Sequence, residues 1–162
     1  MQEHIQNELA SFIANCDWEK IAPHFKEDAA YRVLDWIGCA VAGEHYPQVE
    51  IAQKYFIENG DQGNSTVIGH QTKCSPRTAA FLNGIAGHVC ELDDGHRTAI
   101  GHPGSIAVPT ALALGEHLNA SGADVLKAVI LGYEVFSRLG RTVNPSHYRT
   151  WHTTGTCGTI AA

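Results

Sequence analysis

Between residues 88 and 104 the chain reads HVCELDDGHRTAIGHPG, a stretch that holds three imidazoles and three carboxylates: His88, Glu91, Asp93, Asp94, His96 and His102. Three kinds of chemistry fit such a set. Carboxylates crowded into a partly enclosed site repel one another and shift their pKa values, while histidine titrates near neutral pH unaided, so the set suits general acid–base catalysis. His88 and Glu91 stand three residues apart, on one face of a helix, and imidazoles with carboxylates also suit zinc, iron or manganese. Asp93-Asp94-Gly95 is at the same time ordinary turn chemistry, in which an aspartate caps the next helix and does nothing more.

Two further features favour catalysis or ligand binding over a bare turn. His102-Pro103-Gly104 stands immediately before an apolar run, so His102 sits at a helix mouth where backbone N–H groups and the helix dipole attract an anion such as a small carboxylate. Trp151-His152-Thr153-Thr154-Gly155-Thr156 repeats the theme with a histidine, hydroxyls and a glycine ahead of another helix start. Cys90 and Cys157 flank these motifs without any activating pattern. The remaining histidines, His4, His24, His45, His70, His117 and His147, fall in loops or on polar faces and read as surface residues.

The elements that must position these groups are mostly helical. Apolar spacing predicts helices over Ile5 to Asn15, Glu27 to Ala42 with Gly43 as terminator, and Pro47 to a closing Gly60. The Gly/Asn/Ser-rich segment after Gly60, with Thr66-Val67-Ile68 inside it, predicts a loop or one short hairpin near 64–70. Ser75-Pro76 is an N-cap followed by proline, opening a helix that runs toward Glu91. Two more helices follow, Ile106 to Leu118 and Asp124 to Leu139, the second capped by Ser121 with Asp124 in the capping-box position. VLKAVILGYEVF is interrupted only by Lys127 and Glu134, which predicts a helix buried nearly all round.

Composition narrows the function classes. A charged fraction of only 17% against 44% hydrophobic residues is low for a chain of 162 residues, and predicts that part of its surface is covered by a partner or by more protein. The formal charge is −6 with scattered basic residues, which argues against nucleic acid. The N-terminal acids and amides lack the pattern of a signal peptide, and no apolar run is long enough to span a membrane, so a cytoplasmic protein without membrane contact is expected. Five cysteines without a C-x-x-C pair predict reduced thiols. The chain stops on Ile160-Ala161-Ala162, which reads as the start of a helix in a longer protein, and the whole reads as a single domain.

AAFLNGIAGHVCELDDGHR, GHPGSIAVPTALALGE, LGYEVFSRLGR and WHTTGTCGTIAA together resemble the N-terminal helical part of the MmgE/PrpD family, and LDWIGCAVAG resembles its first helix. The family includes 2-methylcitrate dehydratase, cis-aconitate decarboxylase and iminodisuccinate epimerase. The resemblance implies an all-helical domain, interrupted in family members by a smaller α/β domain, and commonly a homodimer. It also implies a cofactor-independent lyase or isomerase that moves protons on small di- or tricarboxylates such as 2-methylcitrate. The family's site histidines fall on His102 and His152, and its acidic motif on Glu91, Asp93 and Asp94. His102 and His152 are accordingly assigned proton transfer or carboxylate binding, with Asp93 and Asp94 orienting an imidazole or holding a substrate hydroxyl. Glu91, His96, Gly104, Thr153 and Thr154 are assigned to the substrate, and no metal or cofactor is assigned. Decarboxylase-like members carry aspartate where Glu91 stands and have one residue fewer before the histidine. Their catalytic lysine and tyrosine, like the α/β domain, fall beyond residue 162, so this stretch alone is expected to be inactive. Two alternatives stay open, a non-catalytic helical dimerisation or anion-binding module and a carboxylate–histidine metalloprotein.

Overall fold

The computed structural model describes residues 4–162. Seven α-helices follow in order: α1 (Ile5–Ala14), α2 (Pro23–Gly43), α3 (Pro47–Glu58), α4 (Pro76–His88), α5 (Gly104–Leu118), α6 (Gly122–Val143) and α7 (Thr153–Ala161). Among the described residues there is no strand, only isolated bridges at Ser65–Cys74 and His96–Gly101, and the fold is all-α as the sequence predicts. Proline opens α2, α3 and α4, where its fixed φ suits the helix and its missing N–H is not needed. The Ser75 hydroxyl accepts from Thr78 N–H at 3.4 Å and that of Ser121 from Asp124 N–H at 3.2 Å, satisfying donors that a helix start leaves free. No helix among the described residues is long and apolar enough to cross a membrane.

Gly43 ends α2 as its last helical residue, without a left-handed turn, and a Cβ there would stand 2.0 Å from the Ala86 carbonyl oxygen of α4. Its role is close helix approach. The hairpin near 64–70 does not form, because Asn83 of α4 occupies the edge of the triplet: it accepts from Ile68 N–H and donates to the Thr66 carbonyl, both at 2.8 Å. A side-chain amide thereby takes the place of a partner strand. The helix expected to reach Glu91 stops at His88, since Glu91 adopts a left-handed φ of 52°. Finally, α6 is amphipathic rather than enclosed, burying Val129, Gly132, Val135, Phe136 and Gly140 while Ile130 and Leu131 line a cleft against Phe12 of α1.

The principal core joins Trp36 and Ala40 of α2 to Val49, Ala86, Val108 and Val129, so that α4 is held between α2 and α5. At its centre Gly87 faces the Trp36 indole, and a Cβ on Gly87 would lie 2.5 Å from the indole nitrogen. This contact seats the last turn of α4, and with it His88. Gly87→Ala should therefore cost about 1–3 kcal/mol by overpacking, read as a lower midpoint in chemical denaturation; an unchanged midpoint would mean the α2–α4 contact is looser than described.

Candidate active site

The site grows from the end of α4, the loop after it and the start of α5. The Asp93 side chain is 0% exposed. Its oxygens lie 3.0 and 3.1 Å from Nδ1 of His88, and the Ser105 hydroxyl of α5 donates to Oδ2 in a short hydrogen bond. A carboxylate only accepts, so Nδ1 of His88 carries the hydrogen and Nε2 is turned outward. The other ring close to Asp93 is His102, whose Nδ1 stands 3.4 Å from the same Oδ2. That nitrogen is buried and makes no hydrogen bond within geometric limits, so its contact with Asp93 is electrostatic.

Glu91 closes the outer side. Its left-handed backbone returns the side chain over the helix end, and its carboxylate comes within 3.7 Å of His88 Nε2 and 3.9 Å of His102 Nε2. The helix-face relation of His88 and Glu91 is thus replaced by a turn that brings the same two groups together. The His88 and His102 rings are 4.7 Å apart between centroids, and the exposed His152 ring lies 6.2 Å from His88 and nearly parallel to it at 18°. Three imidazoles from three segments therefore gather around one acidic pair. A cleft of about 510 Å³ opens beside them, lined by His88, Phe81, Ser105, Ile106 and Thr154 among others.

Asp94 points elsewhere. It accepts from Gly104 N–H at 3.1 Å and from Arg32 Nη1 at 3.0 Å, so the α5 N-terminus, expected to be free for an anionic ligand, is already capped by an anion of the chain itself. The Tyr133 hydroxyl is buried beside this carboxylate; a Cβ on Gly104 would meet both Asp94 Oδ1 at 2.5 Å and that hydroxyl at 2.8 Å. Burial, reinforced by the Asp94 charge, pushes the Tyr133 phenol well above its ordinary pKa. His96 is likewise turned away from the imidazole cluster. Its Nδ1 accepts from Ala99 N–H at 3.0 Å in a tight loop where Ile100, a β-branched residue, has φ 51°, a conformation that costs on the order of 1–3 kcal/mol. Asp94, His96, Arg32 and Tyr133 line a second cleft of about 640 Å³.

Of the remaining residues assigned from sequence, Thr154 is buried and its hydroxyl accepts from His102 N–H at 3.1 Å, while Thr153 is fully buried and engaged with Asn144 Nδ2 at 3.0 Å. The sequence offers His88 as a metal ligand with Glu91 but not as a member of the acid–base site, and it does not point to Ser105, Arg32 or Tyr133. His88 was legible, since its i, i+3 relation to Glu91 is visible; the other three join the site only through tertiary packing.

The Asp93 carboxyl is subject to burial, which alone would raise its pKa, but the hydrogen bonds from His88 and Ser105 outweigh it and the net displacement is downward from 3.8. The His88 imidazole is displaced upward from 6.5, chiefly by the Asp93 hydrogen bond against opposing desolvation. Stability from His88 is then complete below 6.5 and is lost as pH rises through its folded pKa; stability from Asp93 is complete above 3.8 and is lost as pH falls through its folded pKa. Both contributions are present between those values. The melting-temperature gap between the metal-free protein and its His88→Gln variant should be widest near about pH 5 and shrink toward about pH 9; a gap independent of pH would show that the ion pair is not formed.

This geometry can be set beside known proteins. The model of the MmgE/PrpD N-terminal domain matches residues 7–162. The chain is 30% identical to a cis-aconitate decarboxylase-like protein, oryM, of Aspergillus oryzae over 98% of its own length and 35% of the relative's. It is 31% identical to cis-aconitate decarboxylase of Aspergillus terreus, over 96% of this chain and 32% of that one, and 33% identical to the human cis-aconitate decarboxylase, over 80% and 29%. The chain therefore spans about a third of the length of these curated relatives. With a family match across nearly every residue and the all-α fold described above, the chain belongs to the MmgE/PrpD family, in its N-terminal domain.

Proposed function

We propose that this chain supplies the acid–base face of a cofactor-independent lyase for a small di- or tricarboxylate. The observation that carries the reading is the buried Asp93 carboxylate against His88 Nδ1 and His102 Nδ1, which leaves both Nε2 atoms facing Glu91. The named activity of the relatives favours decarboxylation of a cis-aconitate-like substrate; dehydration of a 2-methylcitrate-like one and epimerisation use the same proton transfers. In decarboxylation a proton from an imidazolium forms the new C–H bond, the C–CO₂ bond breaks, and its electron pair stays in the product skeleton. His102 and His152 are the proton carriers in this reading, and Asp93 is the positioning residue, fixing the tautomer of His88 and standing as a buried negative charge against the His102 ring. Glu91 contacts the substrate's polar groups, whereas Gly104, Thr153 and Thr154, already engaged, shape the walls, and His96, turned into the second cleft, takes no part. Asp94 caps α5 and steadies the loop.

A partner belongs to the same reading. Helix α1 has no buried residue, and Leu34 of α2 and Ile51 of α3 are 65% and 70% exposed, which supports a second copy or a further domain over these faces.

The test is turnover by purified protein carrying this chain, with cis-aconitate and 2-methylcitrate followed by NMR. His102→Ala should lower turnover by roughly 10²–10⁴, the usual worth of a general acid or base. Undiminished turnover in that variant would remove His102 from the chemistry, and binding of either compound without conversion would favour a non-catalytic module.

A further inference from the structure

We propose that His88 Nε2, the Glu91 carboxylate and His102 Nε2 form a binding site for a zinc ion, a property that goes beyond the lyase reading. One ligand atom from each of the three residues lies within 4.8 Å of the others. The two imidazole nitrogens stand 3.7 and 3.9 Å from Glu91 oxygens, whereas tetrahedral zinc with bonds of about 2.0–2.1 Å places its ligand atoms ~3.3 Å apart. Those two contacts use different Glu91 oxygens and the three ligand atoms are spread over as much as 4.8 Å, so closing around one ion takes a turn of the Glu91 side chain, which is 70% exposed, together with a shift of an imidazole ring on the order of 1 Å.

The surroundings favour a metal over a chance meeting of three polar groups. Metal-binding histidines usually donate their other ring N–H to a carboxylate, which fixes the tautomer and strengthens the ligand. Here one buried carboxylate stands behind both rings: Asp93 holds His88 Nδ1 at 3.0 Å and faces His102 Nδ1 at 3.4 Å. The His102 Nδ1 atom is buried without a hydrogen-bond partner, so a small ring rotation that brings Nε2 toward a metal also lets Nδ1–H reach Asp93. Two imidazoles with one carboxylate select zinc over magnesium or calcium, which prefer all-oxygen ligands. Because zinc would take the Nε2 lone pairs that proton transfer needs, it would act at this site as an inhibitor; that last consequence alone rests on the proposed function.

The experiment is equilibrium dialysis of chelator-stripped protein against zinc chloride in excess magnesium, with cobalt(II) spectra to identify the ligands. One zinc per chain is expected, with cobalt bands of nitrogen and oxygen ligation and none from thiolate. Glu91→Gln, at an exposed position, should weaken zinc by more than about tenfold, Asp93→Asn by about 10–100-fold, and Cys90→Ser should leave it unchanged. Zinc affinity that is untouched by Glu91→Gln, thiolate bands, or no zinc bound by the unsubstituted protein would overturn the assignment. Binding is read without substrate, so failure of the lyase reading leaves this result unaffected.

Discussion

Asp93 keeps a carboxylate entirely out of solvent, and the architecture around it follows from what that demands. A buried ionised group is stable only when paired and hydrogen-bonded. The partners come from two helices, His88 from the last turn of α4 and Ser105 from the first turn of α5, with His102 just ahead of α5. The end of one helix must therefore lie beside the beginning of the next. That juxtaposition is set by the α2–α4 core, where Gly43 and Gly87 admit backbone and indole at distances no side chain would allow.

Asp93 and Asp94 are neighbours in sequence with divided duties. Asp94 faces Gly104 N–H, Arg32 and the buried Tyr133 hydroxyl, and so ties α5 to α2 and α6. The loop between them and His102 is held by His96 Nδ1 accepting a backbone N–H, and left-handed conformations stand before and after the pair, at Glu91 and Ile100. Strain of this kind persists only where surrounding contacts over-determine the backbone. Its placement on both sides of the acidic pair fits a segment shaped for what it presents rather than for its own stability.

Much of the fold was legible because helix signals are local. The prolines at 47 and 76, the caps Ser75 and Ser121, and the apolar stripes are read within a few residues of where they act, whereas α2 opens at Pro23, ahead of the start expected at Glu27. Whether 64–70 forms a loop or a hairpin was not legible for the opposite reason: Asn83, which satisfies Thr66 and Ile68, is remote from them and its role depends on tertiary placement. The all-round burial expected of α6 failed because hydropathy does not say which neighbours exist to cover a face; Leu131 lines the cleft beside α1, and Ile130 lines both that cleft and the one beside α2. In the site, residue types pointed to His88, Glu91, Asp93 and His102, yet which aspartate faces the imidazoles and which caps a helix could be decided only by the turn at Glu91.

Asp93 fixes the proton on Nδ1 of His88 and so directs Nε2 to the face shared with Glu91 and His102. Long-range ¹H–¹⁵N NMR of the histidine rings in chelator-treated protein, at a pH high enough for neutral imidazole, reads this directly. A protonated Nδ1 and an unprotonated Nε2 are expected for His88, reverting to the ordinary Nε2–H form in Asp93→Asn. An Nε2–H tautomer for His88 in the unsubstituted protein would contradict this arrangement.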